Sequence, residues 1–305
     1  MTVASPSPTP KGALLTVGET MAMIAPARAG RVEEADAFLI DAGGAESNVA
    51  AHVAALGHET RWFSRLGDDA LGRRVARQLA SRGIDVSDVV FDRRHPTGLY
   101  VKDPGRGVIY HRSGSAASLL SAADAERVDL DGVAVMHVSG ITAALSSSAA
   151  DFLDRMIRRA RRADVTVSID VNHRAVLWAP GRAAAALDAL ARQADILFAG
   201  RDEAEFLWAT PTAQDVRRRF PEVPELVVKD GDIGATAFVG DREVFEPSER
   251  VDVVDVVGAG DAFAGGYLAA RLSGAAVADR LRSGHARAAF TLTTMGDSIG
   301  ERITR

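Results

Sequence analysis

"DVVGAGDAFAGG", Asp255 to Gly266, sets four glycines and two aspartates into twelve positions late in the chain. The apolar-rich Val251–Val254 before it reads as a strand, and Tyr267–Leu272 after it as a helix. A helix N-terminus carries unpaired N–H groups and partial positive charge, which together favour an anion. Glycines let phosphate oxygens approach those N–H groups with no Cβ in the way, and Gly258, Ala259 and Gly260 suit that role. Two better-known phosphate loops fail here. No G-x-x-x-x-G-K-[ST] string occurs, and Phe263 stands where a dinucleotide fingerprint needs its third glycine. An anion hole remains, with the Asp261 carboxylate at its mouth. A carboxylate beside phosphate has a purpose in phosphoryl transfer, where it takes the proton of the attacking hydroxyl. The same residues also read as a tight turn followed by an N-capping aspartate.

Around this stretch, short apolar runs alternate with helical patterns. Ala13–Val17, Arg61–Arg65, Val133–Val138, Val165–Ile169 and Ile196–Phe198 read as strands. Glu46–Leu56, Asp69–Arg82 and an Ala-rich stretch around 182–192 read as helices. Phe152, Leu153, Met156, Ile157 and Ala160 recur at helical spacing with arginines between them, which predicts an amphipathic helix. This βαβα rhythm predicts an α/β fold, a parallel sheet with helices on both faces. Two stretches break it, at about 22–40 and 89–112. In the second, Thr97–Lys102 and Val108–Arg112 flank the turn signal Asp103-Pro-Gly-Arg-Gly107. Such pieces suit a small β-sheet hung on one edge as a lid, whose apolar face would invite a homodimer.

The bulk numbers set bounds. The chain has 305 residues, 47% hydrophobic and 25% charged, so it can bury one large core. A net charge of −5 argues against a nucleic-acid binder. With no cysteine there is neither disulfide framework nor thiolate metal site, which fits a cytoplasmic enzyme. Residues 1–11 read as a disordered Pro/Ser/Thr tail without the apolar core of a signal peptide, and 12–305 as a single domain. No run of about 18 apolar residues occurs, so no membrane span is expected.

The stretch D-V-V-G-A-G-D-A-F resembles the C-terminal signature of the ribokinase-like carbohydrate kinases, the PfkB family, written D-T-T-G-A-G-D-x-F. Gly43-Gly44-Ala45-Glu46-Ser47-Asn48-Val49-Ala50, followed by A-L-G-H-E-T and S-R-L-G-D-D-A-L-G-R, resembles the N-terminal one. The likeness runs from about residue 12 to 300, and two ordered motifs make it specific. It implies a ribokinase-like sandwich with a β-sheet lid, ATP and Mg2+, and a possible monovalent cation. Asp261 would be the catalytic base, and Gly258, Ala259 and Gly260 the anion hole. Lys229, Gly231 and Gly234 match the family's K-x-G-x-x-G loop beside the nucleotide, and His285 an adenine-side contact of some relatives; a histidine on the helix surface is the plainer reading. Two departures stand out. Val256-Val257 replaces Thr-Thr, losing hydroxyls. The N-x-x-E motif linked to magnesium keeps Glu203 but has Gly200 for asparagine.

The acceptor side resembles 2-keto-3-deoxygluconate kinases, through T-G-L-Y at 97–100, Y-H-R-S-G-S-A-A-S at 110–118 and D-V-N-H-R at 170–174 before Leu177-Trp178. By that resemblance Gly44, Tyr100, Tyr110, Arg112 and Arg174 hold the substrate, with Asn48, Asn172 and Asp261 beside it. The chemistry agrees: an acid substrate needs a cation, and Arg112 and Arg174 offer planar forks for a carboxylate. The start Gly18–Met23 lacks the aspartate that many neutral-sugar relatives carry just after it, which would spare an acid substrate repulsion. Fructokinases share D-x-N-x-R-x-x-L-W, so a fructokinase or other hexose kinase is the alternative. A non-catalytic sugar or nucleotide sensor is disfavoured by Asp261. The expectation is ATP-dependent phosphorylation of the 6-hydroxyl of a sugar acid, most simply 2-keto-3-deoxygluconate.

Overall fold

The computed structural model describes residues 12–28 and 30–293; the expected tail at 1–11 lies outside them. Among the described residues the strands are β1 (Ala13–Val17), β2 (Met21–Pro26), β3 (Phe38–Gly43), β4 (Thr60–Phe63), β5 (Arg65–Gly67), β6 (Val90–Asp92), β7 (Leu99–Asp103), β8 (Gly107–His111), β9 (Val133–Ser139), β10 (Thr166–Asp170), β11 (Ile196–Gly200), β12 (Glu225–Asp230), β13 (Gly234–Val239) and β14 (Arg242–Pro247). The helices are α1 (Ala45–Ala55), α2 (Ala70–Ser81), α3 (Ala122–Ala125), α4 (Gly140–Leu145), α5 (Ser147–Arg162), α6 (Ala183–Ala191), α7 (Arg201–Trp208), α8 (Ala213–Arg219), α9 (Ala259–Leu272) and α10 (Val277–Leu292).

The large sheet runs β14-β13-β12-β11-β10-β9-β1-β4, and β12 through β4 are parallel. Successive side chains of a strand point to opposite faces, so each apolar run feeds two cores. Leu15, Met136, Leu197 and Leu226 pack with Phe152, Met156 and Ile157 of α5, on the face that α5 covers. Leu14, Val135, Ile196, Phe198 and Val227 pack with Val49 and Val53 of α1 and Phe263, Tyr267 and Leu268 of α9. The α/β architecture with helices on both faces is as the sequence predicts.

Three local expectations need correction. The sheet is not wholly parallel: β13 and β14 extend it as antiparallel strands. The K-x-G-x-x-G stretch is the hairpin turn between β12 and β13, with Gly231 at φ 51° and the Ile233 N–H donating to the Asp230 carbonyl. Val251–Val254 is no strand. Val253 and Val254 stay exposed because this run is a cavity wall, joined to α10 through the Val254 N–H and the Leu292 carbonyl. Arg61–Arg65 divides at Ser64 into β4 and β5, which belong to different sheets.

A second sheet, β3-β2-β7-β8, forms from the two irregular stretches. Residues 89–92 do not join it, since β6 pairs with β5 instead. The β7–β8 hairpin turns through Asp103–Gly107 as predicted. Lys102 of this hairpin donates to Asp255 Oδ2 at 2.8 Å, tying the small sheet to the start of the glycine-rich stretch.

Candidate active site

Gly258 is the N-cap of α9 at φ 82°, a left-handed conformation that glycine adopts without strain. That turn aims backbone donors outward. The N–H groups of Gly258, Gly260 and Asp261 meet no protein acceptor among the described residues, while the Ala259 N–H faces the Val256 carbonyl at 3.4 Å. The backbone donors left open at this turn are thus those of residues 258, 260 and 261, and not that of 259. Gly260 has no unusual backbone; a Cβ there would lie 3.5 Å from Lys229 Nζ. The space between this helix end and the lysine is what the missing side chain keeps open.

Asp261 sits in the first turn of α9, buried, and it does not act as a cap. Its Oδ2 accepts from Asn48 Nδ2 at 2.9 Å and its Oδ1 from Asn172 Nδ2 at 3.3 Å. Asn48 comes from the first helical turn of α1 and Asn172 from the end of β10. Burial pushes the Asp261 carboxyl up to about 7; the Asn48 bond opposes this, the charge of Asp170 adds to it, and Arg174 and Lys229 oppose it. A carboxylate held near neutrality suits a general base.

Lys229, at the end of β12, forms a 2.7 Å ion pair with Asp170 Oδ2. Burial works against its charge, but Asp170 and Glu203 hold the ammonium above its usual range. Glu203 is raised by burial and by the charge of Asp170. Its Oε2 accepts the Gly200 N–H at 2.9 Å and its Oε1 the His173 N–H at 2.8 Å. Glu203, third residue of α7, folds back to the Gly200 N–H as in a capping box, an arrangement that does not itself require glycine.

Three cavities meet at the start of α9. One, of about 670 Å³, is lined by Lys229, Gly231, Gly234, Gly260 and His285, with Val251 and Val253 on its wall. His285 is buried there rather than on the helix surface: its Nε2 bonds the Glu246 carbonyl at 3.0 Å and its ring meets Phe263 edge-on. A narrow second cavity is lined by Gly44, Asn48, Tyr100, Tyr110, Arg112, Arg174 and Asp261. The third, of about 750 Å³, joins them past Asp170, Asn172, Glu203 and Lys229. The structure thus gathers all the residues singled out from the sequence around one helix end.

The two arginines differ in circumstance. Arg112, on the segment after β8, ion-pairs with the buried Glu19 and lies 5.5 Å over the Tyr110 ring. The Arg174 guanidinium is exposed and has no hydrogen bond or ion pair among the described residues. Glu19 lines the same narrow cavity and is not singled out from the sequence. The cavity does carry a carboxylate, contrary to the expectation from Gly18–Met23. The available signal was its place just past the end of β1, where open α/β sheets put ligand contacts.

No group of three or more His, Asp or Glu side chains suited to a metal exists among the described residues. Asp170 and Glu203 still fit a magnesium ion carried by phosphates, because both carboxylates face the connecting cavity beside Lys229. Among the described residues no helix is long and apolar enough to cross a membrane.

Comparison with known proteins follows the same line. The chain is 36% identical to 2-dehydro-3-deoxygluconokinase of Bacillus subtilis, covering 94% of this chain and 91% of that one. It is 35% identical to 2-dehydro-3-deoxygalactonokinase of Haloferax volcanii, covering 93% and 92%. The crystal structure of 2-dehydro-3-deoxygluconokinase from Thermotoga maritima superposes with a TM-score of 0.87 at 26% identity, over 94% and 96% of the chains. Residues 11–303 match the family model described as pfkB family carbohydrate kinase. A match over nearly the whole length, on a site already built for phosphoryl transfer, places this chain in the pfkB family of carbohydrate kinases.

Proposed function

We propose that this carbohydrate kinase transfers the terminal phosphoryl group of ATP to the 6-hydroxyl of a sugar acid, most simply 2-keto-3-deoxygluconate. The observation that carries the reading is the unpaired Arg174 guanidinium in the same narrow cavity as Asp261. The nucleotide takes the large cavity beside the β12–β13 turn, with its terminal phosphate toward the free N–H groups of Gly258, Gly260 and Asp261. Magnesium, when bound, neutralises phosphate charge, and Asp170 and Glu203 would hold it through water. Lys229 bears on the same phosphates and keeps Asp170 paired. The acceptor lies between Gly44, Tyr100, Tyr110 and Arg112, its hydroxyl against Asp261. Asp261 takes the proton as the oxygen attacks, and Asn48 and Asn172 hold the carboxylate in place. The developing negative charge falls within the hole.

The pH dependence follows from Asp261. The base acts only when deprotonated, so kcat/KM should fall about tenfold per pH unit below about 7 and level off above it. A profile from about pH 5 to pH 9 checks this. A flat profile removes Asp261 from the role.

Acid specificity falls to Arg174. A charge-assisted contact with a carboxylate contributes about 1.5–3 kcal/mol. Arg174→Met should therefore weaken acid turnover by roughly 10–100-fold while fructose suffers less. Equal losses on both substrates, or a wild type preferring fructose, move the assignment to fructokinase.

Val108 and Tyr110 of the β7–β8 hairpin already line the connecting cavity, which supports a lid. Shortening the Asp103–Gly107 turn should raise ATP hydrolysis relative to sugar phosphorylation, because water then reaches the site. Unchanged coupling would mean that this segment does not cover it. Exposed Phe38, Leu39 and Ile109 supply apolar surface for a homodimer through the same sheet. The lack of cysteine fits a cytoplasmic location.

A further inference from the structure

We propose that Glu19 limits the preference of the acceptor cavity for acidic over neutral substrates, by cancelling the charge of Arg112 and leaving Arg174 to select the carboxylate. The inference rests on the acceptor reading above and adds a residue to it.

Glu19 follows β1 and lines the acceptor cavity together with Met21, Arg112 and Arg174. Its side chain is fully buried, and Arg112 keeps only 12% exposure. One Glu19 oxygen accepts from the Arg112 guanidinium, and the other accepts from Ser115 Oγ at 2.8 Å. A bare carboxylate in this wall would repel an acidic acceptor at close range, since charges in a partly dry cavity are weakly screened. Arg112 removes that repulsion and gives up its own net charge in return. Its Nε is buried without a hydrogen-bond partner among the described residues. Of the two arginines lining the cavity, only Arg174 is therefore left without a carboxylate in direct ion pair.

Opposite charge changes at the two ends of this pair should shift selectivity in opposite directions. Glu19→Gln keeps one oxygen to accept from Arg112 and turns its NH2 toward Ser115 Oγ, but leaves the Arg112 charge uncompensated, which an entering carboxylate relieves and a neutral hexose does not. The ratio of kcat/KM for 2-keto-3-deoxygluconate over fructose should rise about tenfold. Arg112→Gln leaves Glu19 bare, and the ratio should fall about tenfold. The double variant restores neutrality and should return toward the wild-type ratio. Both substrates are assayed on one preparation, so a partly unfolded fraction cancels. If one single variant does not fold, the other and the double variant still carry the sign. Ratios that stay within about twofold of wild type, or move the same way in both single variants, overturn the proposal. A wild type that phosphorylates fructose and not the acid overturns the acceptor assignment instead. The acid is then read as an inhibitor of fructose phosphorylation, and its inhibition constant should fall in Glu19→Gln and rise in Arg112→Gln.

Discussion

Asp261→Asn is expected to lower turnover by about 10²–10⁴-fold, the usual consequence of losing a general base, with sugar and ATP binding retained. The substitution preserves volume in a buried position and still accepts one of the two bonds from Asn48 and Asn172. The other amide then faces an NH2 group, so a modest loss of stability is expected at low pH. The sign reverses with pH. The folded pKa of about 7 lies above the ordinary 3.8. Whatever stability Asp261 contributes as a neutral acid is therefore complete below about 3.8 and lost as pH rises through about 7. The asparagine does not ionise, so the Tm of the variant relative to wild type should climb between about pH 4 and pH 7 and level off above that. Turnover above a tenth of wild type would remove Asp261 as the base. A Tm difference independent of pH would show that the carboxyl is not held neutral by burial.

Gly260→Val should cost about 10²–10³ in rate, as loss of an oxyanion-type donor does. The added side chain would enter the space between the helix end and Lys229 Nζ, the position proposed above for the transferred phosphate. Gly260 lies in α9 without a positive φ, and valine has a helix propensity no worse than that of glycine, so no backbone penalty is expected. A folded variant with a wild-type Tm and lost activity is the expected outcome. A folded variant with normal turnover would make this turn purely architectural.

Legibility in the sequence followed the range of the interactions. Helix α5 could be read because Phe152, Met156, Ile157 and Ala160 repeat on one face, and β9 to β11 because buried parallel strands are continuous apolar runs. Val251–Val254 misled for the same reason: an apolar run walling a nucleotide-sized cavity has the composition of a strand. The glycine-rich stretch showed the hole, but local sequence does not show which N–H groups remain free; Ala259 turned inward and Asp261 outward. The setting of Asp261 depends on Asn48 and Asn172, 213 and 89 residues away in the chain. Glu19 and Arg112, 93 residues apart, meet only because β8 folds over the end of β1. A lone glutamate after a strand has no pattern of its own until its partner arrives.

In the proposed reaction Asp261 and the open turn at the start of α9 phosphorylate a sugar acid selected by Arg174. Purified protein supplied with ATP and magnesium, with product formation followed on 2-keto-3-deoxygluconate and on fructose in parallel, tests this. The expected product is the 6-phosphorylated acid, with kcat/KM at least about tenfold above that for fructose. Preferential phosphorylation of fructose, or ATP hydrolysis with neither sugar phosphorylated, would contradict it.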